Sequence, residues 1–290
     1  MTERQFRLRM IRLIALDIDG TLLDSAWQVP AENRDAIRRA TDAGIEVALV
    51  TGRRFDFARP VIDQIDAPLT LIVSGGALVK RRDGQTLVRH LLPADIARAV
   101  VEATRDFRDA TALVFDRPHA AQVVHERLDL RDTHRRSYFE RNRDFILEVV
   151  PLEAALTEDP IQVMFSGGVA RMRDLTAVVR ALDVFSSVAV AVTEYEQRDF
   201  SLVDVNRAGC TKGATLARWV ARQGLTPGEV MAVGDNFNDR EMLEFAGVPV
   251  VMGNAVGALK GLGWPVTLDN DHGGVAAAIE AFALSQPARA

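Results

Sequence analysis

The sequence predicts an α/β protein: a doubly wound, mainly parallel, Rossmann-like sheet interrupted by an α+β insertion. Three observations carry this expectation. Short β-branched runs alternate with amphipathic stretches near both ends of the chain, as βαβ units require. Each of those runs stops at polar residues. Between them, from about Ala77 to Val192, the regular alternation lapses.

The elements follow in order. Leu13-Ile14-Ala15-Leu16 is an apolar run that ends in Asp17-Ile18-Asp19-Gly20, and reads as a fully buried central strand. A helix is expected from Pro30 to Ala43, with Pro30 and Gly44 as its punctuation. Ile45 to Val50 makes a second strand ending at Thr51-Gly52-Arg53, Phe55 to Ile65 a helix carrying Pro60, and Leu69 to Val73 a third strand ending at Ser74-Gly75-Gly76. A hairpin around Asp83-Gly84 comes next. Pro93 to Arg105 and Val169 to Leu182 read as helices. Leu113 to Phe115, Gln122 to Val124, Ile161 to Phe165 and Val188 to Val192 read as strands.

Alternation then resumes with strand Ser201 to Val205, helix Lys212 to Arg222, strand Val230 to Gly234 ending at Asp235, a short helix Asp239 to Ala246, strand Val248 to Met252 and helix Val275 to Leu284. This places one domain in residues 1–81 and 193–290, and an inserted one in residues 82–192.

Composition narrows the function classes. With 290 residues, 48% of them hydrophobic, the chain can bury a large core. A net charge of −5 gives no bulk electrostatic reason to bind nucleic acid or an anionic membrane. No run of about 18 apolar residues marks a membrane span. The lone Cys210 excludes an internal disulfide and a multi-cysteine metal site. Met1 to Arg12 holds four arginines but is not followed by a secretory pattern, so a cytoplasmic protein is expected.

The chemistry gathers at strand ends. In an open parallel sheet the carboxyl edge is where ligands bind, and the strands deliver Asp17 and Asp19, Thr51, Ser74 and Asp235 to that edge. Asp17 and Asp19, two apart on an extended chain, are expected on the same side. Asp17, Asp19, Asp235 and Asp239 would bring four negative charges together, and Lys212 alone cannot balance them. Mg²⁺ suits a few carboxylates together with a substrate phosphate.

Asp17-Ile18-Asp19-Gly20-Thr21, Val50-Thr51-Gly52-Arg53, Lys212 and Gly234-Asp235-Asn236-Phe237-Asn238-Asp239, in that order, closely resemble the four motifs of the haloacid dehalogenase superfamily of phosphohydrolases. Glu241-Met242-Leu243 and Val251-Met252-Gly253-Asn254-Ala255 resemble its Cof-type, or type IIB, sugar-phosphate phosphatases, whose large α/β cap is inserted between the second and third motifs.

The resemblance implies a Mg²⁺-dependent phosphomonoester hydrolase acting on a small phosphate ester, with a sugar phosphate as the expected substrate and a monomer or homodimer as its form. It implies Asp17 as nucleophile and metal ligand, Asp19 as acid/base and, through its carbonyl, a further metal ligand. Asp235 would be a carboxylate ligand and Asp239 a weaker or outer one. Thr51, Gly52, Arg53, Lys212 and Asn238 would bind phosphate, with Thr51 and Lys212 counted also in the catalytic set. A phosphomutase is the enzymatic alternative, and a phosphate-dependent binding or regulatory protein the non-catalytic one.

The chain departs from the subfamily at Gly75-Gly76, where an Asn-Gly pair is usual. In the insertion, His119, His125 and His134 show no metal-ligand spacing. Arg131, Arg135, Arg136, Arg141 and Arg143 make a basic stretch that reads as a solvated helix face.

Overall fold

The computed structural model describes residues 10–127, 136, 139, 140 and 142–285. Most of the arginine-bearing stretch from Met1 to Arg12 lies outside that set, as do His134, Arg131, Arg135 and Arg141. The chain forms two compact units, one from the segments up to Arg89 and from Thr211 onward, the other from His90–Cys210.

The first unit opens with β1 (Leu13–Leu16), α1 (Ala31–Asp42), β2 (Glu46–Val50), α2 (Phe55–Ile62), β3 (Thr70–Val73), β4 (Leu78–Arg81) and β5 (Thr86–Arg89). The second unit contributes α3 (Ala94–Ala103), β6 (Thr111–Val114), β7 (Val123–His125), β8 (Ile146–Glu148), β9 (Gln162–Gly167), α4 (Val169–Arg180), β10 (Val188–Tyr195) and β11 (Phe200–Arg207). The chain returns to the first unit with α5 (Lys212–Arg222), β12 (Val230–Gly234), α6 (Arg240–Phe245), β13 (Val248–Val251), α7 (Gly257–Lys260) and α8 (Gly274–Ile279).

The first sheet has the order β13-β12-β1-β2-β3-β4-β5. β13 through β3 are parallel, and the β4–β5 hairpin extends the edge antiparallel. β1 lies in the middle, with Leu13 paired to Val230 on one side and Glu46 on the other. All four of its residues are buried, which is why its sequence is continuously apolar rather than alternating. α1 packs against α8, presenting Ala36, Ile37 and Ala40, spaced to share one helix face. Pro30 stands just before α1, where its missing N–H costs no helical hydrogen bond.

The second sheet has the order β10-β11-β9-β6-β7-β8 and is antiparallel except for the β7–β8 pair. Val163, Phe165, Val203, Val205, Leu113 and Val124 cluster with Val100 and Val101 of α3 and with Met172, Leu175 and Val179 of α4. The alternate positions of β9 and β11 carry Gln162, Asp204 and Asn206. Gln162 Nε2 donates to Asp204 Oδ1 at 2.6 Å, and burial pushes this carboxyl up to about 7.

Two boundaries differ from the expected insertion of residues 82–192. Residues 86–89 pair with β4 in the first sheet, whereas Phe200–Arg207 pairs with β9 and β10 in the second. β11 alternates buried Ser201, Val203 and Val205 with half-buried Leu202 and Asp204, the pattern of a strand covered on one face only. A hairpin carries no comparable local mark of which sheet it joins, because its edge pairs through backbone groups that every sequence has.

Candidate active site

Asp17 extends the pairing of β1 by one residue, its N–H donating to Val233 O at 3.1 Å. Ile18–Leu22 then folds into a tight turn, with Gly20 at φ +81° and Leu23 N–H closing on Ile18 O at 3.1 Å. The same-side argument for Asp17 and Asp19 therefore stops where the strand does. Asp17 is buried, and the Asp19 side chain is 46% exposed. Gly20 is required twice over, since a Cβ there would stand 2.5 Å from Asp235 Oδ2 and L side chains rarely adopt this φ. Asn254 Nδ2 ties the turn down from outside through Gly20 O, at 2.8 Å.

Lys212 is the first residue of α5, behind Thr211, whose Oγ1 accepts from Ala214 N–H at 3.1 Å as a helix cap. Its Nζ donates to Asp17 Oδ1 at 2.5 Å and to Asp239 Oδ1 at 2.7 Å, all three side chains being buried. The helix start can come this near the end of β3 because of Gly76, where a Cβ would lie 2.4 Å from Thr211 O. Thr215 Oγ1 donates to Gly76 O at 2.8 Å across the same approach. Ser74, which opens this segment, has φ +52° and a buried Oγ with no hydrogen-bond partner among the described residues.

Asp239 is fully committed. Its Oδ1 meets Lys212, and its Oδ2 accepts the N–H groups of Asp235 and Asn236, each at 3.1 Å. Asp235 Oδ1 accepts from Thr21 Oγ1 at 3.1 Å. Among the described residues this leaves Oδ2 of Asp17 and Oδ2 of Asp235 without hydrogen-bond donors.

Three carboxylates thus share one ammonium. Burial, and then the charge of Asp239, raise the Asp17 carboxyl well above its ordinary range against the opposing pull of Lys212. Burial and Asp239 likewise push Asp235 up to about 7. Burial alone would lower Lys212, but the Asp17 and Asp239 carboxylates outweigh it and leave its pKa above the ordinary value. One oxygen from each of Asp17, Asp235 and Asp239 lies within 4.8 Å of the others, so the three could hold a metal ion. A hard cation suits this all-oxygen set and would relieve the repulsion that raises the two acids.

Thr51 N–H donates to Ile72 O at 2.8 Å, and its Oγ1 accepts from Arg53 N–H at 3.1 Å. Its carbonyl takes Gly75 N–H at 3.0 Å, and Ser74 N–H bonds Arg53 O at 2.9 Å, which locks the ends of β2 and β3 together. Gly52 is exposed. Arg53 places its guanidinium fork on Asp19, with Nε 2.9 Å from Oδ2 and Nη2 2.5 Å from Oδ1.

The expected residues therefore form two groups. Asp17, Asp235, Asp239 and Lys212 are in one cluster, and Asp19 and Arg53 form a pair. Asn238 is exposed beside Asp239, and among the described residues no side-chain hydrogen bond ties it to the rest. Trp27 and Phe57, whose rings lie 5.7 and 5.1 Å from the Arg53 guanidinium carbon, escaped the sequence reading. Neither follows a motif, and an aromatic near a helix start is ordinary.

A family model described as haloacid dehalogenase-like hydrolase matches residues 14–279. HMP-PP phosphatase of Serratia proteamaculans (strain 568) is 32% identical over 254 residues, covering 87% of this chain and 88% of that protein. Pyridoxal phosphate phosphatase YbhA of Escherichia coli (strain K12) is 28% identical over 273 residues, 91% of this chain and 96% of that protein. BT1666 of Bacteroides thetaiotaomicron, a solved phosphatase structure of the haloalkanoate (HAD) enzyme superfamily, is 26% identical with a TM-score of 0.77, covering 97% of this chain and 98% of its own.

Proposed function

The chain belongs to the haloacid dehalogenase-like hydrolase family, as a Cof-type phosphatase, and on that premise we propose that it is a Mg²⁺-dependent phosphomonoester hydrolase working through an aspartyl-phosphate. The observation that carries the proposal is the buried contact of Lys212 with both Asp17 and Asp239, beside Asp235 at the end of the neighbouring strand.

Asp17 is the nucleophile. An oxygen of its carboxylate attacks phosphorus as the ester P–O bond breaks, and Asp19 gives its proton to the departing alcohol oxygen. Asp19 then takes a proton from water, whose oxygen displaces Asp17 and releases inorganic phosphate. Lys212 has three N–H donors, and Asp17 and Asp239 use two of them. The third is available to a phosphoryl oxygen, so one residue both aims the nucleophile and neutralises the group it attacks. Thr51, the Gly52 backbone and Asn238 complete the phosphate cradle. Arg53 acts there through its hold on Asp19.

Asp17 and Asp235 would hold Mg²⁺ by their carboxylates, with the Asp19 carbonyl as a further ligand and Asp239 steadying the set from Lys212's side. When bound, the ion supplies positive charge to the phosphoryl group. The substrate is a small phosphorylated metabolite, and the sequence motifs favour a sugar phosphate, with the sugar alcohol as leaving group. We place the enzyme in the cytoplasm, as a monomer or homodimer, without nucleic-acid or membrane partners. Among the described residues, no helix is long and apolar enough to cross a membrane.

The test is phosphate release from a panel of phosphate esters, with Mg²⁺ and with EDTA. Release from some of them that EDTA abolishes is expected. No release from any ester would overturn the proposal.

A further inference from the structure

Trp27 is 65% exposed, and among the described residues it is the largest apolar side chain so displayed. Its backbone has φ +61°, a region that L residues seldom occupy. The loop that presents it is tied at several points. Asp24 Oδ1 accepts from Ala26 N–H at 2.9 Å and Gln28 N–H at 2.8 Å, and Asp24 N–H closes on Gln28 O at 3.0 Å. Ser25 donates through N–H and Oγ to the two oxygens of Asp271, at 2.7 and 2.6 Å. A rigid loop in an unfavourable backbone geometry is holding a large ring in water.

The place of that ring gives it a use. Arg53 stands over Trp27 and Phe57, and its fork grips Asp19. Trp27 is thus one side chain removed from the carboxylate that protonates the leaving alcohol under the function proposed above. The atoms attached to that alcohol must lie on the Asp19 side of the phosphoryl group, within reach of the ring. With the Arg53 guanidinium carbon 5.7 Å from the ring centroid, Trp27 is still 65% exposed, which leaves indole surface for a second planar partner.

We propose that Trp27 is a specificity-determining residue, a stacking platform for a planar ring carried by the leaving alcohol, so that the preferred substrates are phosphate esters of ring-bearing alcohols. This deepens the phosphatase reading and rests on it. The relative that acts on pyridoxal phosphate has a substrate of this class by its name. Stacking tolerates many rings, since each has a π-face to offer, so it selects a class rather than one compound.

The test compares kcat/KM for pyridoxal phosphate and for ribose 5-phosphate, whose sugar offers no planar π-face, in the wild type, Trp27→Ala and Trp27→Phe. The ratio of the two constants is the readout, because any change in Asp19 positioning caused by loss of the Arg53 contact affects both esters and cancels. Trp27→Ala is expected to lower the ratio roughly tenfold, through KM for pyridoxal phosphate, and Trp27→Phe to restore most of it. A ratio unchanged in Trp27→Ala, or a wild type that hydrolyses ribose 5-phosphate but not pyridoxal phosphate, would overturn the stacking role and leave the phosphatase standing. No Mg²⁺-dependent hydrolysis of either ester by the wild type would overturn both.

Discussion

Lys212 Nζ lies 2.5 Å from Asp17 Oδ1, although 195 residues separate them and both side chains are buried. One ammonium so placed serves two carboxylates, Asp17 and Asp239, and Asp17, Asp235 and Asp239 together could hold a cation.

Asp17→Asn keeps the size of the side chain and removes the proposed nucleophile. Phosphate release is expected to fall by roughly 10⁴–10⁶-fold with the fold retained. Stopped assays for phosphate, alongside a thermal melt, check both halves of the expectation. Near-normal turnover would rule out the covalent route.

If the proposed site is right, Mg²⁺ stabilises the folded protein, because it would bind carboxylates that repel one another only in the native state. At about 100 times its dissociation constant the gain is about 2.7 kcal/mol. Melting temperature is expected to rise with Mg²⁺, to return with EDTA, and to respond far less in Asp235→Asn. A wild-type melt insensitive to Mg²⁺ would count against the metal site.

Gly76→Ala should disrupt the approach of α5 to the end of β3. The new methyl group would stand 2.4 Å from Thr211 O at a residue with φ +107°. Overpacking and the left-handed backbone together should cost on the order of 2–4 kcal/mol. The shift of Lys212 should also lower kcat. Urea unfolding and steady-state kinetics read the two effects, and a variant matching the wild type in both would refute this role for Gly76.

Asp204 gives the second unit a pH dependence. Its folded pKa, about 7, lies above the ordinary carboxylate value, so the native state keeps a proton that the unfolded chain has released. Its contribution to stability is therefore full below about pH 4, is lost as pH rises toward 7, and stays lost above that. The span is up to about 4 kcal/mol, reduced by partial exposure of the group. Asp204→Asn keeps the acceptor for Gln162 and removes the titration. Amide exchange across β9 and β11 should show the variant gaining protection over the wild type between pH 5 and 8, and no gain would refute the assignment.

Much of this was legible in the chain. β1 and β12 announce themselves as continuous apolar runs because both faces of a central parallel strand are covered, and the acids that follow mark the edge where ligands bind. The Asp17, Thr51, Lys212 and Asp235 motifs each end a strand or begin a helix, so their local context could be read without knowing what they meet. Arg53 was harder. Its motif suggested phosphate, and nothing local in the sequence foretold that its side chain also reaches Asp19, 34 residues away.

The sequence by itself determined most of the strands and helices, the order of the motifs and the identity of the acids and the lysine, because those follow from side-chain type, spacing and the local backbone; strand Ile146–Glu148 and helix Gly257–Lys260, each under five residues, were too short to show a period. Only the tertiary structure decided that β5 joins the first sheet and β11 the second, that Gly76 clears the way for Thr211, and that Trp27 lies against the arginine holding Asp19. Those outcomes depend on backbone hydrogen bonds and close contacts between segments far apart in the chain. Every residue carries the same backbone groups, so which distant partners meet is settled by packing of the whole fold.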